Sequence, residues 1–253
     1  MKLSIIIPSY NQDAYIEETL KNCIAIKNLA GINQVEIEIL LFDAVSNNKV
    51  QQIIEKYKSK IDVVKIEKDK GQFDAINKGI EQCTGDYWTW LNTDDTLDVE
   101  GFYELVKILK NDISIDYIYG SIDYIDAEGN FMQNFPTRLI SYKTLVTKVP
   151  GIFQQGSFFK KSFTNGIGLL KNYNCCFDYE YVLRCLKNNA KVYACNFKVA
   201  NFRQHSVSKT GSLTTNFIKD QLLISEKYGR KWYHFLTWFS YLRLFKHQIL
   251  PRK

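Results

Sequence analysis

Apolar positions along the chain change their period in a regular order. Residues 3–8, LSIIIP, form an unbroken apolar run that predicts a strand buried on both faces. Beyond the polar turn SYNQ, Ile16, Leu20, Cys23 and Ile24 recur at helical spacing, with Asp13 as the candidate N-cap. VEIEILLF (35–42) predicts a second strand ending at Asp43, and Val50, Ile53, Ile54 and Tyr57 a second helix. IDVVKIE and DYWTWLN read as the third and fourth strands. Phe73, Ile76 and Ile80 mark a helix between them, and Phe102, Leu105, Val106 and Leu109 one after them. Strands alternating with helices imply β-α-β units and a parallel sheet. Right-handed crossovers then bring the strands' C-terminal ends to one edge, where open α/β sheets bind ligands. Three polar clusters fall on that edge: residues 9–11, Asp43, and residues 92–95.

The second half is patterned differently. Residues 116–135 read as a hairpin turning at AEGN. GIFQQGSFFKK (151–161) reads as a strand, FDYEYVLRCLKNNA (177–190) as a helix, and KVYACNFKVANFRQHS as one or two strands. No linker rich in Gly, Pro or Ser separates the halves, and no internal repeat is present.

Composition narrows the picture. With 45% hydrophobic and 24% charged residues in 253, the chain has a globular profile able to build a full core. A net charge of +6, from 33 basic and 27 acidic residues, is too dispersed to argue for nucleic acid. It suits an anionic ligand or an anionic membrane surface. The six cysteines include no C-x-x-C pair and there are three histidines, which argues against a zinc site and for buried, reduced thiols in a reducing cytosol. The apolar run of MKLSIIIPSYN is too short for a signal peptide. No uninterrupted apolar stretch reaches the roughly 18 residues of a membrane span.

At the end of the fourth strand stands NTDD. Adjacent carboxylates repel unless something positive lies nearby. Asn92, Asp94 and Asp95 at a ligand-facing edge suit a hard divalent cation, Mg2+ or Mn2+, which would relieve that repulsion and bridge a diphosphate. The alternative is a capping turn for the helix opened by Glu100.

Taken in order, LSIIIPSYNQDAYIEETLKNC, GQFDAINKGIEQCTGDYWTWLNTDD and FDYEYVLRCL resemble the family 2 glycosyltransferases of GT-A fold. The resemblance covers roughly residues 1–210 as a series of blocks. It implies a nucleotide-diphospho-sugar transferase fold, a Rossmann-like mixed sheet flanked by helices. It also implies transfer with inversion from a nucleotide-diphosphate sugar, a UDP-sugar as the first guess, to a hydroxyl of a saccharide or lipid-linked acceptor in surface polysaccharide synthesis. The alternative is a catalytically silent nucleotide-sugar-binding module of the same fold. A nucleotidyltransferase or a Rossmann dehydrogenase would need a glycine-rich loop after a strand, and PSYNQ stands there instead. On this basis residues 1–212 form the transferase domain, with 1–112 the nucleotide-sugar half and 113–212 the acceptor half, and 213–253 a helical tail.

Carried over residue by residue, the resemblance assigns Pro8, Ser9 and Tyr10 to the nucleotide loop and Asp43 to the base edge. Gln72 and Asp74 fall in the block that closes over the nucleotide, and Asn92 and Asp94 at the diphosphate and ribose. Asp94 and Asp95 become the metal contacts, His205 a metal or phosphate contact or a structural residue, Asp178 the general base (a role that N-capping does not exclude) with Glu180 as fallback, and Arg203 a cation for the leaving diphosphate. Two positions depart from the family pattern: Asn92 stands where an acid is usual, and AVSNN replaces a Gly-Ser-x-Asp-Gly-like run. Gln154, Gln155 and Gly156 are candidates for the acceptor cleft or for a plain strand. In the tail, Trp232, Leu236, Phe239, Leu242 and Phe245 keep helical spacing among basic residues. That pattern fits an amphipathic helix over 231–253 at a membrane surface, packing on the domain or a dimer contact. The expected location is cytoplasmic, peripheral at the inner face of the membrane in the first of these cases, with no nucleic-acid partner.

Overall fold

The computed structural model describes residues 1–30, 35–148, 153–205 and 214–231. The expected tail helix, beyond Lys231, lies outside the described residues. The described residues fall into two compact units, each discontinuous in sequence: those within 1–137, 153–169 and 190–204, and those within 138–148, 170–189 and 205–231.

The first unit holds a nine-stranded mixed sheet. Its elements are β1 (Lys2–Ser9), α1 (Ile16–Ala30), β2 (Glu36–Asp43), α2 (Asn48–Tyr57), β3 (Val63–Ile66), α3 (Gln72–Gln82), β4 (Tyr87–Trp90), β5 (Thr96–Leu97), α4 (Val99–Asn111), β6 (Tyr117–Ile125), β7 (Phe131–Phe135), β8 (Ser157–Lys160), α6 (Lys161–Ile167) and β9 (Val192–Arg203). The strand order is β3-β2-β1-β4-β8-β6-β9-β5, with β7 paired to β6. The first four strands are parallel, as the alternation predicted, and β8 joins β4 antiparallel. Because β2 and β3 lie on one side of β1 and β4 on the other, the chain reverses direction across the sheet at β1. Ligands of open α/β sheets bind at such a reversal, beyond the carboxyl ends of the strands.

Burial explains why this half was readable. β1 and β2 are buried along almost their whole length, so both faces need apolar residues and the run is continuous. The helix expected after Asp13 begins at Ile16, and Asp13 pairs instead with Lys49. Residues 116–135 form the expected hairpin, turning at Gly129 with φ +91°. The stretch from Lys191 gives one long strand, β9 (Val192–Arg203), parallel to β6 with register shifts near Ser121. The strand expected over 151–161 is shorter: Gln154–Gly156 form a 3-10 turn, Ser157–Lys160 the strand, and Lys161 opens α6. The turn forms because Gln154 and Gln155 turn inward and donate to buried acceptors.

The described part of the second unit is helical: α5 (Tyr142–Lys148), α7 (Phe177–Lys187) and α8 (Thr214–Lys227). No helix among the described residues is long and apolar enough to cross a membrane.

Gly79 shows how closely α3 lies on β1. A Cβ built there would sit 2.4 Å from Ile6 Cγ2, inside a fully buried side chain. Gly166 in α6 has nothing within 4 Å of the same position. Gly79→Ala is therefore expected to lower stability by about 1–3 kcal/mol through overpacking. Gly166→Ala should raise it by up to about 1 kcal/mol through helix propensity. Urea denaturation of the two variants checks this, and equal effects would contradict the packing argument.

Candidate active site at the rim of the parallel sheet

Ser9 and Asp43 end β1 and β2 and face each other in register. Asp43 is buried, and four donors fill its carboxylate: Ser9 Oγ at 2.7 Å, Ser46 N at 2.8 Å, Ser46 Oγ at 2.5 Å and Gln51 Nε2 at 2.7 Å. Four donors match its lone-pair capacity. Asn11 N donates to Ser46 Oγ and Asn47 N to Asn11 Oδ1, which joins the loops after the two strands. Asn47 Oδ1 also caps α2 by accepting from Lys49 and Val50. Asn11 and Val45 hold left-handed backbone, with φ +52° and +59°. For β-branched Val45 this is strained, a cost of about 1–3 kcal/mol that the hydrogen bonds around it must offset. Pro8 and Ser9 are buried, whereas the Tyr10 side chain is 67% exposed. Asp43, expected to accept from a base, thus already accepts from its own chain. Of its four donors, Gln51 is the one on a long rotatable arm.

The block after β3 opens α3 at Gly71, whose φ of +115° suits glycine. Asp74 accepts from Lys70 N and lies 3.6 Å from Lys78 Nζ, so it organises the helix start. Gln72 Nε2 reaches across and donates to Asn92 Oδ1 at 2.6 Å.

The acidic loop is built around Asp95. This side chain is completely buried, and every contact to its carboxylate is a donor: Asn92 Nδ2 at 2.9 Å, Gln155 Nε2 at 3.0 Å and Arg203 N at 3.0 Å. Thr19 Oγ1 donates to its carbonyl. Burial first, and the charge of Asp94 second, push Asp95 well above the usual carboxylate range against the pull of those donors. Expected as a metal ligand beside Asp94, Asp95 instead has its oxygens committed inside the protein.

Arg203 is likewise turned inward. Its guanidinium is buried, donates to the carbonyls of Asp94, Asp126 and Ala127, lies 2.7 Å from Glu18 Oε2 and stacks over Tyr15. A cation so occupied ties the acidic loop to α1 and to the hairpin turn; it is not presented to a diphosphate. Of the two acids, Asp94 is the half-exposed one. Among the described residues no group of three His, Cys, Asp or Glu could hold a metal by itself. One accessible carboxylate still fits a divalent ion that arrives with phosphate oxygens, since Mg2+ is commonly held by one or two carboxylates plus substrate phosphates.

In the second unit Asp178 occupies the first turn of α7, after Cys176 at the N-cap position. It does not cap; its Oδ1 accepts from Tyr179 N at 2.7 Å. Desolvation raises its pKa to about 6, opposed by the backbone N–H groups of Tyr179 and Asp178 itself. Glu180, the fallback, is fully buried and held by Lys171 at 2.9 Å, by Arg184 at 3.0 Å and by the Tyr228 hydroxyl. His205 is half-buried, at the point where the chain passes into the second unit.

Sequence reasoning missed the structural roles of Gln155, Arg203, Glu18 and Thr19. Gln155 and Arg203 lie 60 and 108 residues from Asp95, beyond any local pattern.

A mixed sheet with a parallel half, a chain reversal at β1 and an acidic loop at the rim defines the GT-A class of glycosyltransferases. Residues 4–167 match the model of glycosyl transferase family 2, and the chain belongs to that family. An uncharacterized glycosyltransferase of Methanocaldococcus jannaschii is 23% identical over 75% of this chain and 66% of its own length. The poly-beta-1,6-N-acetyl-D-glucosamine synthase of Staphylococcus aureus is 26% identical over 47% of this chain, which spans 28% of that longer protein. Among solved structures, S. aureus TarS 1–349 in complex with UDP-GlcNAc matches at TM-score 0.66 and 18% identity, over 88% of this chain and 65% of that one. The mannosyltransferase PcManGT of Pyrobaculum calidifontis, with GDP-Man and Mn2+, matches at TM-score 0.62 and 17% identity, over 98% and 70%.

Replacing Arg203 by Met leaves buried carbonyls and Asp95's neighbourhood without their cation. Arg203→Met is expected to lower stability by about 3–5 kcal/mol, because the carbonyls of Asp94, Asp126 and Ala127 lose their charged donor. Glu18→Gln at the exposed end should cost less than about 1 kcal/mol. Equal losses in urea denaturation would contradict the buried-clamp assignment.

Proposed function

We propose that the chain transfers a sugar, with inversion, from a nucleotide-diphosphate sugar to a hydroxyl of a saccharide or lipid-linked saccharide, with UDP-sugar as the first donor to test. The observation that carries this is the rim itself: Asp94 is half-exposed on a loop whose neighbouring acid is fully engaged. The ligands of the structural neighbours, UDP-GlcNAc and GDP-Man with Mn2+, support a nucleotide-sugar donor and a divalent ion. The poly-N-acetylglucosamine synthase supports a polysaccharide product.

Asp94 would hold Mg2+ or Mn2+ together with the donor diphosphate. When bound, that ion supplies Lewis-acid stabilisation of the leaving group. The loops carrying Pro8, Ser9, Tyr10 and Asp43 take the nucleoside. A base N–H replaces the Gln51 amide at Asp43, and exposed Tyr10 offers a ring face. Gln72 and Asp74 flank the same rim. His205 is carried as a further contact to the ion or phosphate. Asp178 accepts the proton of the acceptor hydroxyl. The acceptor oxygen then bonds to the anomeric carbon as the bond to the diphosphate oxygen breaks, and the diphosphate leaves with that electron pair. Glu180 does not serve, because its charge is spent on Lys171, Arg184 and Tyr228.

Asp178→Asn is expected to abolish transfer while UDP-sugar still raises the melting temperature. Retained turnover would remove Asp178 as the base. A base must be deprotonated to act, so with Asp178 at about 6 the rate should be flat above that pH. Below it the rate falls about tenfold per pH unit. An acid limb that persists unchanged in a residual activity of Asp178→Asn would contradict the assignment. A thermal-shift panel of UDP-, GDP- and dTDP-sugars with Mn2+ selects the donor, because saturating ligand at about 100 times Kd adds roughly 2.7 kcal/mol of apparent stability.

A further inference from the structure

We propose that Asn92 is an amide because Asp95 is a buried carboxylate: the two form a matched donor–acceptor pair that positions Asp94, and an acid at position 92 would impair the site. The inference rests on the donor-binding reading above and names which residues set up Asp94.

Counting charge gives the opposite expectation. A carboxylate in place of Asn92 adds an anionic oxygen near the ion and should tighten its binding. The geometry argues otherwise. Asn92 uses both ends of its amide: Oδ1 accepts from Gln72 Nε2 at 2.6 Å, and Nδ2 donates to Asp95 Oδ2 at 2.9 Å. A carboxylate at 92 keeps the first bond, loses the amide donor of the second and sets two acid groups against each other where Asp95 has no solvent exposure. The other donors to Asp95 are Gln155 Nε2, from the turn before β8, and Arg203 N, from the end of β9, and that backbone N–H cannot follow a displaced carboxylate. Asp94 lies between the paired residues, and its carbonyl is gripped by Arg203 Nε at 3.0 Å. Any shift of Asp95 therefore moves the backbone that carries the Asp94 carboxylate.

The pairing makes a reciprocal exchange informative. In Asn92→Asp/Asp95→Asn the acid introduced at 92 accepts from Gln72 and from the amide introduced at 95. The oxygen of that new amide accepts from Arg203 N. Its second N–H is satisfied when the Gln155 amide turns over to present its oxygen. Net charge is unchanged and every hydrogen bond is kept, with the carboxylate moved to the other side of the pair.

The test uses the full chain in four forms: wild type, Asn92→Asp, the double exchange and Asp94→Asn. Three quantities are read: urea stability, Mn2+-dependent thermal stabilisation by UDP and by GDP, and kcat and KM for transfer. Asn92→Asp is expected to need about tenfold or more Mn2+ for the same stabilisation and to lose a similar factor in kcat/KM, the loss of one hydrogen bond to a charged group. The double exchange should return both to within about threefold of wild type. Asn92→Asp equal to or better than wild type overturns the pairing, as does a double exchange no better than Asn92→Asp. If Asn92→Asp fails to fold, the double exchange decides alone: near-wild-type Mn2+ dependence supports the pairing, and unfolding or a persisting tenfold defect overturns it. Wild type and Asp94→Asn giving the same Mn2+ response overturns the donor-binding reading itself, an outcome distinct from failure of the pair.

Discussion

A carboxylate with no solvent exposure cannot be left without donors; an uncompensated buried charge costs several kcal/mol. Asp95 is such a group, and its donors converge from three places: its own loop, the turn before β8 and the end of β9. Each of these is itself pinned. Gln155 stands in a 3-10 turn next to Gln154, which donates to the Trp90 carbonyl at the end of β4. Arg203 ends a twelve-residue strand, and its guanidinium reaches α1 and the hairpin turn. The acidic loop is therefore tied to the complete sheet, antiparallel strands included, and not to β4 alone.

Exposure sorts the charged residues by use. Asp95, Arg203 and Glu180 are buried, and each is held by partners in its own chain. Such groups build the fold by fixing geometry. Asp94 and Asp178 are partly exposed and sit beside these anchors. In each pair, Asp94–Asp95 and Asp178–Glu180, one acid is buried and held by its own chain while its neighbour is partly exposed. Two acids close in sequence thus need not share a role, and burial separates them where the sequence cannot.

The parallel half was legible because β1 and β2 are buried on both faces, which leaves continuous apolar runs ending at polar residues. From that order alone Ser9, Asp43 and residues 92–95 were placed on one edge, and the register pairs Ser9 with Asp43. What stayed hidden depends on distant partners. Nothing near Arg203 in sequence says that it will turn inward to Glu18 and Tyr15 on α1. Gln154 and Gln155 read equally as strand or cleft because their acceptors, Trp90 O and Asp95, lie on another strand's end. Asp43 looked available for a ligand because the four donors that fill it are supplied by loop geometry, including a strained Val45, that no periodicity reveals.

The central claim is that Asp94 meets the donor's ion while Asp95 stays bound to its own chain. A crystal structure with UDP and Mn2+, recorded at the manganese absorption edge, tests it most directly. The account predicts an anomalous peak within coordination distance of the Asp94 carboxylate, with Asn92, Gln155 and the Arg203 amide still donating to Asp95. A peak bonded to Asp95 with those hydrogen bonds broken, or nucleotide bound with no peak beside Asp94, would contradict it.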